Sequence, residues 1–124
     1  MNSFHTVVWM DHSQAHVLMF DREHMQAQRI KSRSHHRHQG KDDDNSAFFA
    51  SIATALAGTH EVLLVGPGMA RNQFRDWCGH HKSVVAGLIV DSVASDHPSD
   101  AQLVALARQY FKKFDSMATD PSVT

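Results

Sequence analysis

The stretch Glu61-Val62-Leu63-Leu64-Val65-Gly66-Pro67-Gly68-Met69-Ala70-Arg71-Asn72-Gln73-Phe74 decides the fold class. It opens with a short, nearly continuous apolar run, the pattern of a central strand covered on both faces. Gly66-Pro67-Gly68 then turns the chain. From Met69 to His81, the residues Ala70, Phe74, Trp77 and Cys78 recur at helical spacing on one face. Strand, turn and helix in that order form the unit of an α/β sheet. No Gly-Lys-Ser/Thr follows the glycines, so this is not a P-loop. It reads as a tight structural turn, with an anion cradle on its backbone amides as the alternative.

Downstream, Val84 to Val90 is a second apolar, β-branched run and reads as a buried strand. Ser95-Asp96-His97-Pro98-Ser99 signals a helix start, with Pro98 at the first helical position. Leu103, Leu106, Ala107, Tyr110 and Phe114 mark the apolar face of that helix, and 117–124 reads as a flexible tail.

Upstream, Phe4–Met10 and Ala15–Phe20 read as two strands joined by the polar turn Asp11-His12-Ser13-Gln14. Met25–Ile30 is a weaker third strand, exposed on one face and suited to pairing at an edge, self-association included. Ser46–Ala57 carries Phe48, Phe49, Ile52, Ala53 and Leu56 as an amphipathic helix, capped by Asn45 or Ser46 and ended by Gly58. The acidic run Asp42-Asp43-Asp44 suits its positive end. The expected order is β-β-β-α-β-α-β-α: a mixed five-stranded sheet with flanking helices, in one domain over 1–116.

The 124 residues suffice for one core. A formal net charge of −1 excludes any global electrostatic argument for nucleic acid, membrane or acidic substrate. The single cysteine, Cys78, excludes an internal disulfide and sits among apolar residues as an inert thiol. No apolar run approaches the roughly 20 residues of a membrane helix, and the first residues do not read as a secretion signal. A cytoplasmic location is expected.

The composition breaks at Lys31 to Asn45, where no residue is apolar. Such a segment cannot offset its chain entropy by burial, and it reads as a mobile loop. Lys31, Arg33, Arg37 and Lys41 carry fixed positive charge, with His35, His36, His38 and Gln39 among them. Arg can fork onto phosphate, and Arg and His can stack on unpaired bases, so these eight residues are the candidate RNA-binding set. A metal held by His35, His36 and His38 with Asp42, Asp43 and Asp44 is the rival reading. The neighbouring cations oppose it, and no Cys pair or helical His-x-x-x-His frames a site. No metal or other cofactor is therefore expected.

Three of these stretches, in order, carry a resemblance. Val7-Val8-Trp9-Met10-Asp11-His12-Ser13-Gln14-Ala15, Ser34-His35-His36-Arg37-His38-Gln39-Gly40 and Leu63 to Phe74 resemble the opening hairpin, basic release loop and strand-turn-helix of one domain. That domain is the middle domain of the archaeal/eukaryotic-type peptide-chain release factors and of pelota. The resemblance implies a ribonuclease H-like sheet and a standalone bacterial, translational-machinery-like member of the group, with ribosome, rRNA or tRNA as partner. The family's Gly-Gly-Gln triplet is absent, since Arg37-His38 precede Gln39. Those glycines let the backbone approach the ester of peptidyl-tRNA, and a Cβ blocks that approach.

The expected function is therefore a non-catalytic, RNA- or ribosome-associated, translation-related protein, with stress or hibernation as its setting. Two alternatives stay open. One is a hydrolase of peptidyl-tRNA or RNA using Gln39, or metal-bound carboxylates at Asp11 and Asp91. The other is an interaction or scaffold protein that keeps only the fold.

Overall fold

The computed structural model describes residues 4–21, 23–32 and 43–119, without the side chains of 43–45 and 113–119. The chain runs β1 (Phe4–Met10), β2 (Gln14–Phe20), β3 (Met25–Lys31), α1 (Asp43–Ala55), β4 (Thr59–Gly66), α2 (Ala70–His81), α3 (Ser83–Leu88), β5 (Ile89–Ala94) and α4 (Asp100–Thr119). One sheet has the order β3-β2-β1-β4-β5. β1, β4 and β5 are parallel, and β2 is antiparallel to both its neighbours. This is the mixed five-stranded α/β sheet that the sequence predicts.

Strand alternation sorts the core into two layers. Val8, Met10, Val17, Val62 and Leu64 face Ile52 of α1, Leu56 just after it, and Phe74 and Cys78 of α2. Val7, Trp9, Leu18, Phe20, Leu63 and Val65 face Leu103, Ala107 and Phe111 of α4. Both faces of β1 and β4 are covered, which is why those strands are apolar at nearly every position. Each fully buried Leu, Ile or Phe contributes on the order of 1.5–3 kcal/mol of burial free energy.

The structure departs from the sequence reading in the second half. The strand expected over Val84–Val90 is divided: Ser83–Leu88 form α3, and the strand is Ile89–Ala94. A short apolar run is compatible with either state, and here Val84 is left 78% exposed at the sheet's margin. Being an edge strand, β5 tolerates Asp91 and Ser92 where a central strand would not. Helix α4 starts at Asp100, after Pro98 rather than around it. Ser99 and Gln102 form a reciprocal cap: Gln102 N–H donates to Ser99 Oγ, and Ser99 N–H donates to Gln102 Oε1. The buried face of α4 includes Phe111, while Leu106 is 38% exposed and Tyr110 is only partly buried. The helix continues to Thr119, into the stretch read as a tail.

The 31–45 segment also differs at its ends. Lys31 is the last residue of β3, and α1 starts at Asp43 rather than after Asn45. Asp43 and Asp44 thus lie in the first helical turn, where the dipole favours carboxylates. Gly58 follows α1 with φ +87°, the left-handed stop that a glycine supplies.

Candidate nucleic-acid interface

β1, β4 and β5 all end at one rim of the sheet, and β3, antiparallel to β2 and so running the same way as β1, also ends there, at Lys31. In open α/β sheets this carboxyl rim is where ligands settle. Of the eight predicted RNA contacts, Lys31 is described, exposed and on this rim. Arg33, His35, His36, Arg37, His38, Gln39 and Lys41 lie outside the described residues. Their flanks are fixed: Ser32 N–H donates to Ser13 O at 2.8 Å, and α1 starts at Asp43. Arg29 shares the sheet face of Lys31, about 7 Å away along the strand.

The rim itself is built by short polar side chains. Asp11 accepts from Ser13 N–H (2.8 Å), Gln14 N–H (3.0 Å) and Ser13 Oγ (3.0 Å), closing the β1–β2 turn. Burial pushes the Asp11 carboxyl up, but the Ser13 and Gln14 amides outweigh it and hold it below the usual range. The exposed His12 Nε2 meets Gln73 Oε1 at 2.9 Å and bridges this turn to α2.

Beside them, Gly66-Pro67-Gly68 is a tight turn, with φ +149° at Gly66 and +62° at Gly68. Arg71 locks it. Its Nε donates to Gly66 O at 3.0 Å, and its Nη1 donates to Ser92 Oγ at 2.8 Å and Asn72 Oδ1 at 3.1 Å. At 9% exposure this guanidinium staples β4, α2 and β5 rather than facing solvent. Sequence reading missed this role, since nothing local distinguishes Arg71 from a surface arginine.

The two carboxylates weighed for metal chemistry are not brought together. Through the β1–β4–β5 register, Asp91 lies level with Val7, about 13 Å along the strand from Asp11 and two strands across. Asp91 Oδ2 instead accepts from Tyr110 Oη at 2.6 Å. Among the described residues, no three His, Cys, Asp or Glu side chains converge as metal ligands. His80 and His81 end α2 at the opposite rim, where His81 packs on Trp77. Cys78 is buried, and burial pushes its thiol up to about 11, which suits an inert core residue. A groove of about 480 Å³ lies between β3 and the end of α1, lined by Val17, Met19, Gln26, Ala27, Gln28 and Ala55. It stands nearer the opposite rim than Lys31 does. Among the described residues, no helix is long and apolar enough to cross a membrane.

No protein-family model matches the chain, and no curated protein does so at significant similarity. Solved structures do. The pelota protein of Thermoplasma acidophilum is 21% identical with a TM-score of 0.62, covering 82% of this chain and 30% of that one. Dom34 of S. cerevisiae, a translation termination-like factor involved in RNA quality control pathways and interacting with Hbs1, is 16% identical with a TM-score of 0.63, covering 98% and 38%. The archaeal translation termination factor aRF1 is 12% identical with a TM-score of 0.57, covering 96% and 42%. The chain thus spans well under half the length of these proteins. At these identities the likeness is one of fold, and the fold is that of a release-factor and pelota domain.

Proposed function

We propose that this protein is a non-catalytic, translation-related factor that binds the ribosome, using Lys31, Arg33, His35, His36, Arg37, His38, Gln39 and Lys41 against RNA. The reading is carried by one conjunction. The chain has the fold of translation termination-like factors, and its one apolar-free, cationic segment joins β3 to α1 from the carboxyl rim of that fold. Four fixed cations without an apolar residue suit phosphate contact by a segment that orders on RNA. Arg37-His38 in place of a glycine pair argues against hydrolysis at Gln39. Stress or ribosome hibernation is the setting such a non-catalytic binder fits.

Co-sedimentation of the purified protein with ribosomes across a salt series tests this. Binding should be present at low salt and weaken steeply as salt rises. Changing Lys31, Arg33, Arg37 and Lys41 together to Ala should flatten the log–log salt slope by up to about 3. Binding that ignores both salt and these substitutions rules the proposal out.

A further inference from the structure

β3 is an edge strand of regular geometry, and its outward backbone groups form a specific pattern. Its register with β2 is unbroken from Gln14↔Lys31 to Phe20↔Met25. The same register continues into Ser32 N–H donating to Ser13 O and Asp21 N–H donating to His24 O. These two bonds fix the phase of the ladder. Gln26, Gln28 and Ile30 exchange hydrogen bonds with β2, and Met25, Ala27, Arg29 and Lys31 turn their N–H and C=O groups outward. Among the described residues nothing pairs with that outer row. The row contains no proline or bulge, and of the devices that blunt an edge it carries only charge, at Arg29 and Lys31. The opposite edge differs, since the Ser92 N–H of β5 is already taken by Asp91 Oδ1 at 2.7 Å.

We propose that β3 is a homodimerisation edge, pairing antiparallel with β3 of a second copy about a twofold axis at Gln28. Among the in-phase registers, charge excludes an axis at Arg29 and completeness selects this one over an axis at Ala27. It sets Ala27 opposite Arg29 and Met25 opposite Lys31 of the second copy, so all four outward residues of each strand find reciprocal partners. No like charges stand directly opposite each other; the two Arg29 side chains are diagonal neighbours across the axis. An axis at Arg29 would stack arginine on arginine. An axis at Ala27 would set Lys31 against Glu23, whose N–H is committed to Asp21 Oδ1 in the β2–β3 turn. At Gln28 the two side-chain amides face each other across the axis and can exchange hydrogen bonds. Met25, 48% exposed in one copy, gains the Lys31 stem as cover.

The test exploits Ala27, which is exposed and belongs to neither core cluster. Sedimentation equilibrium over a wide concentration range should show the 13.9 kDa chain doubling in mass. Ala27→Lys places like charges opposite both Arg29 side chains and should weaken the dimer about tenfold. Ala27→Glu places opposite charges there and should tighten it by a similar factor. Circular dichroism confirms that both variants keep the fold. Amides of Met25, Ala27, Arg29 and Lys31 should exchange more slowly as concentration rises. A chain that stays monomeric at every concentration overturns the proposal. So does a dimer indifferent to both substitutions, or one that Ala27→Glu also weakens, which would put Ala27 on the axis.

Discussion

The Gly66 backbone lies against the Met10 carbonyl so closely that any Cβ at Gly66 would collide with the carbonyl oxygen. β4 can end beside β1 and turn into α2 only because this position carries no side chain. Gly66 also has φ +149°, which L-residues rarely adopt. Gly66→Ala therefore meets backbone strain and backbone collision together, and should cost about 3–5 kcal/mol. Gly68, two residues on, has φ +62° but open space around a would-be Cβ. Gly68→Ala should cost only about 1–2 kcal/mol. Urea unfolding of the two variants checks the contrast. Equal losses at both positions would contradict a collision at Gly66.

Tyr110 Oη donates to Asp91 Oδ2 at 2.6 Å and ties α4 to the edge strand β5. The bond holds the Asp91 carboxyl below its usual range and pushes the Tyr110 phenol up to about 12. Tyr110 is the one tyrosine of the chain, so its ultraviolet absorbance reports its ionisation directly. The alkaline midpoint should lie near 12 in the folded protein and fall towards 10 in Asp91→Asn. The raised phenol adds stability that is full below pH 10 and is lost as pH rises towards 12. The depressed carboxyl adds stability present above its unfolded value and lost as pH falls through the acid range. Tyr110→Phe should cost about 1–2 kcal/mol at neutral pH, and the deficit should shrink in acid. A deficit that stays constant down to pH 3 would show that the bond to ionised Asp91 is not its source.

The cap of α4 gives a smaller, cleaner test. Ser99 and Gln102 satisfy each other's backbone N–H groups at 3.2 and 2.9 Å. Ser99→Ala and Gln102→Ala each remove one half. Each should cost about 1 kcal/mol, and the double variant less than the sum, because the halves share one geometry. Strict additivity in a double-mutant cycle would mean that the two bonds act independently.

What the sequence made legible follows from where burial is decisive. The runs Phe4–Met10 and Glu61–Val65 are flanked by helices on both faces, so composition alone marks them as central. Val84–Val90 lies at the margin, where neither face is fully covered, and its apolar residues serve a helix and a strand equally well. Pro98 drew the helix start too early, because a proline suits the first turn and also the residue before a cap. The Ser99–Gln102 reciprocity that decides between them is a side-chain geometry. Lys31 could be read as a basic position but not as the end of an edge strand, since β3 is exposed at nearly every residue and has no apolar phase to reveal its length. Arg71 and Tyr110 were illegible for another reason. Their partners Ser92 and Asp91 stand about twenty residues away in sequence and become neighbours only when the sheet forms.

His16 couples that assembled sheet to pH. Its side chain is 7% exposed on β2, and its Nδ1 lies 3.6 Å from Asp100 Oδ1 in the first turn of α4, too far for a good hydrogen bond. Arg29 stands opposite it on β3, and the His97 ring lies 5.3 Å away from the loop before α4. The Trp9 ring, 5.7 Å away, walls the site from β1. Burial depresses the imidazole below its ordinary value, Arg29 and His97 add to this, and Asp100 offsets only part. The folded state thus prefers the neutral ring more strongly than the unfolded chain does. Well above pH 6.5 both states are neutral and nothing is lost. As pH falls below 6.5 the unfolded chain takes up the proton first, and stability is lost until the folded ring also protonates. Urea midpoints at pH 7.5 and 5.5 should therefore fall further apart in the wild type than in His16→Gln. Asp100→Asn removes the one offsetting charge and should widen the gap. Equal gaps in wild type and His16→Gln would assign the acid sensitivity to other histidines and release His16 from the role.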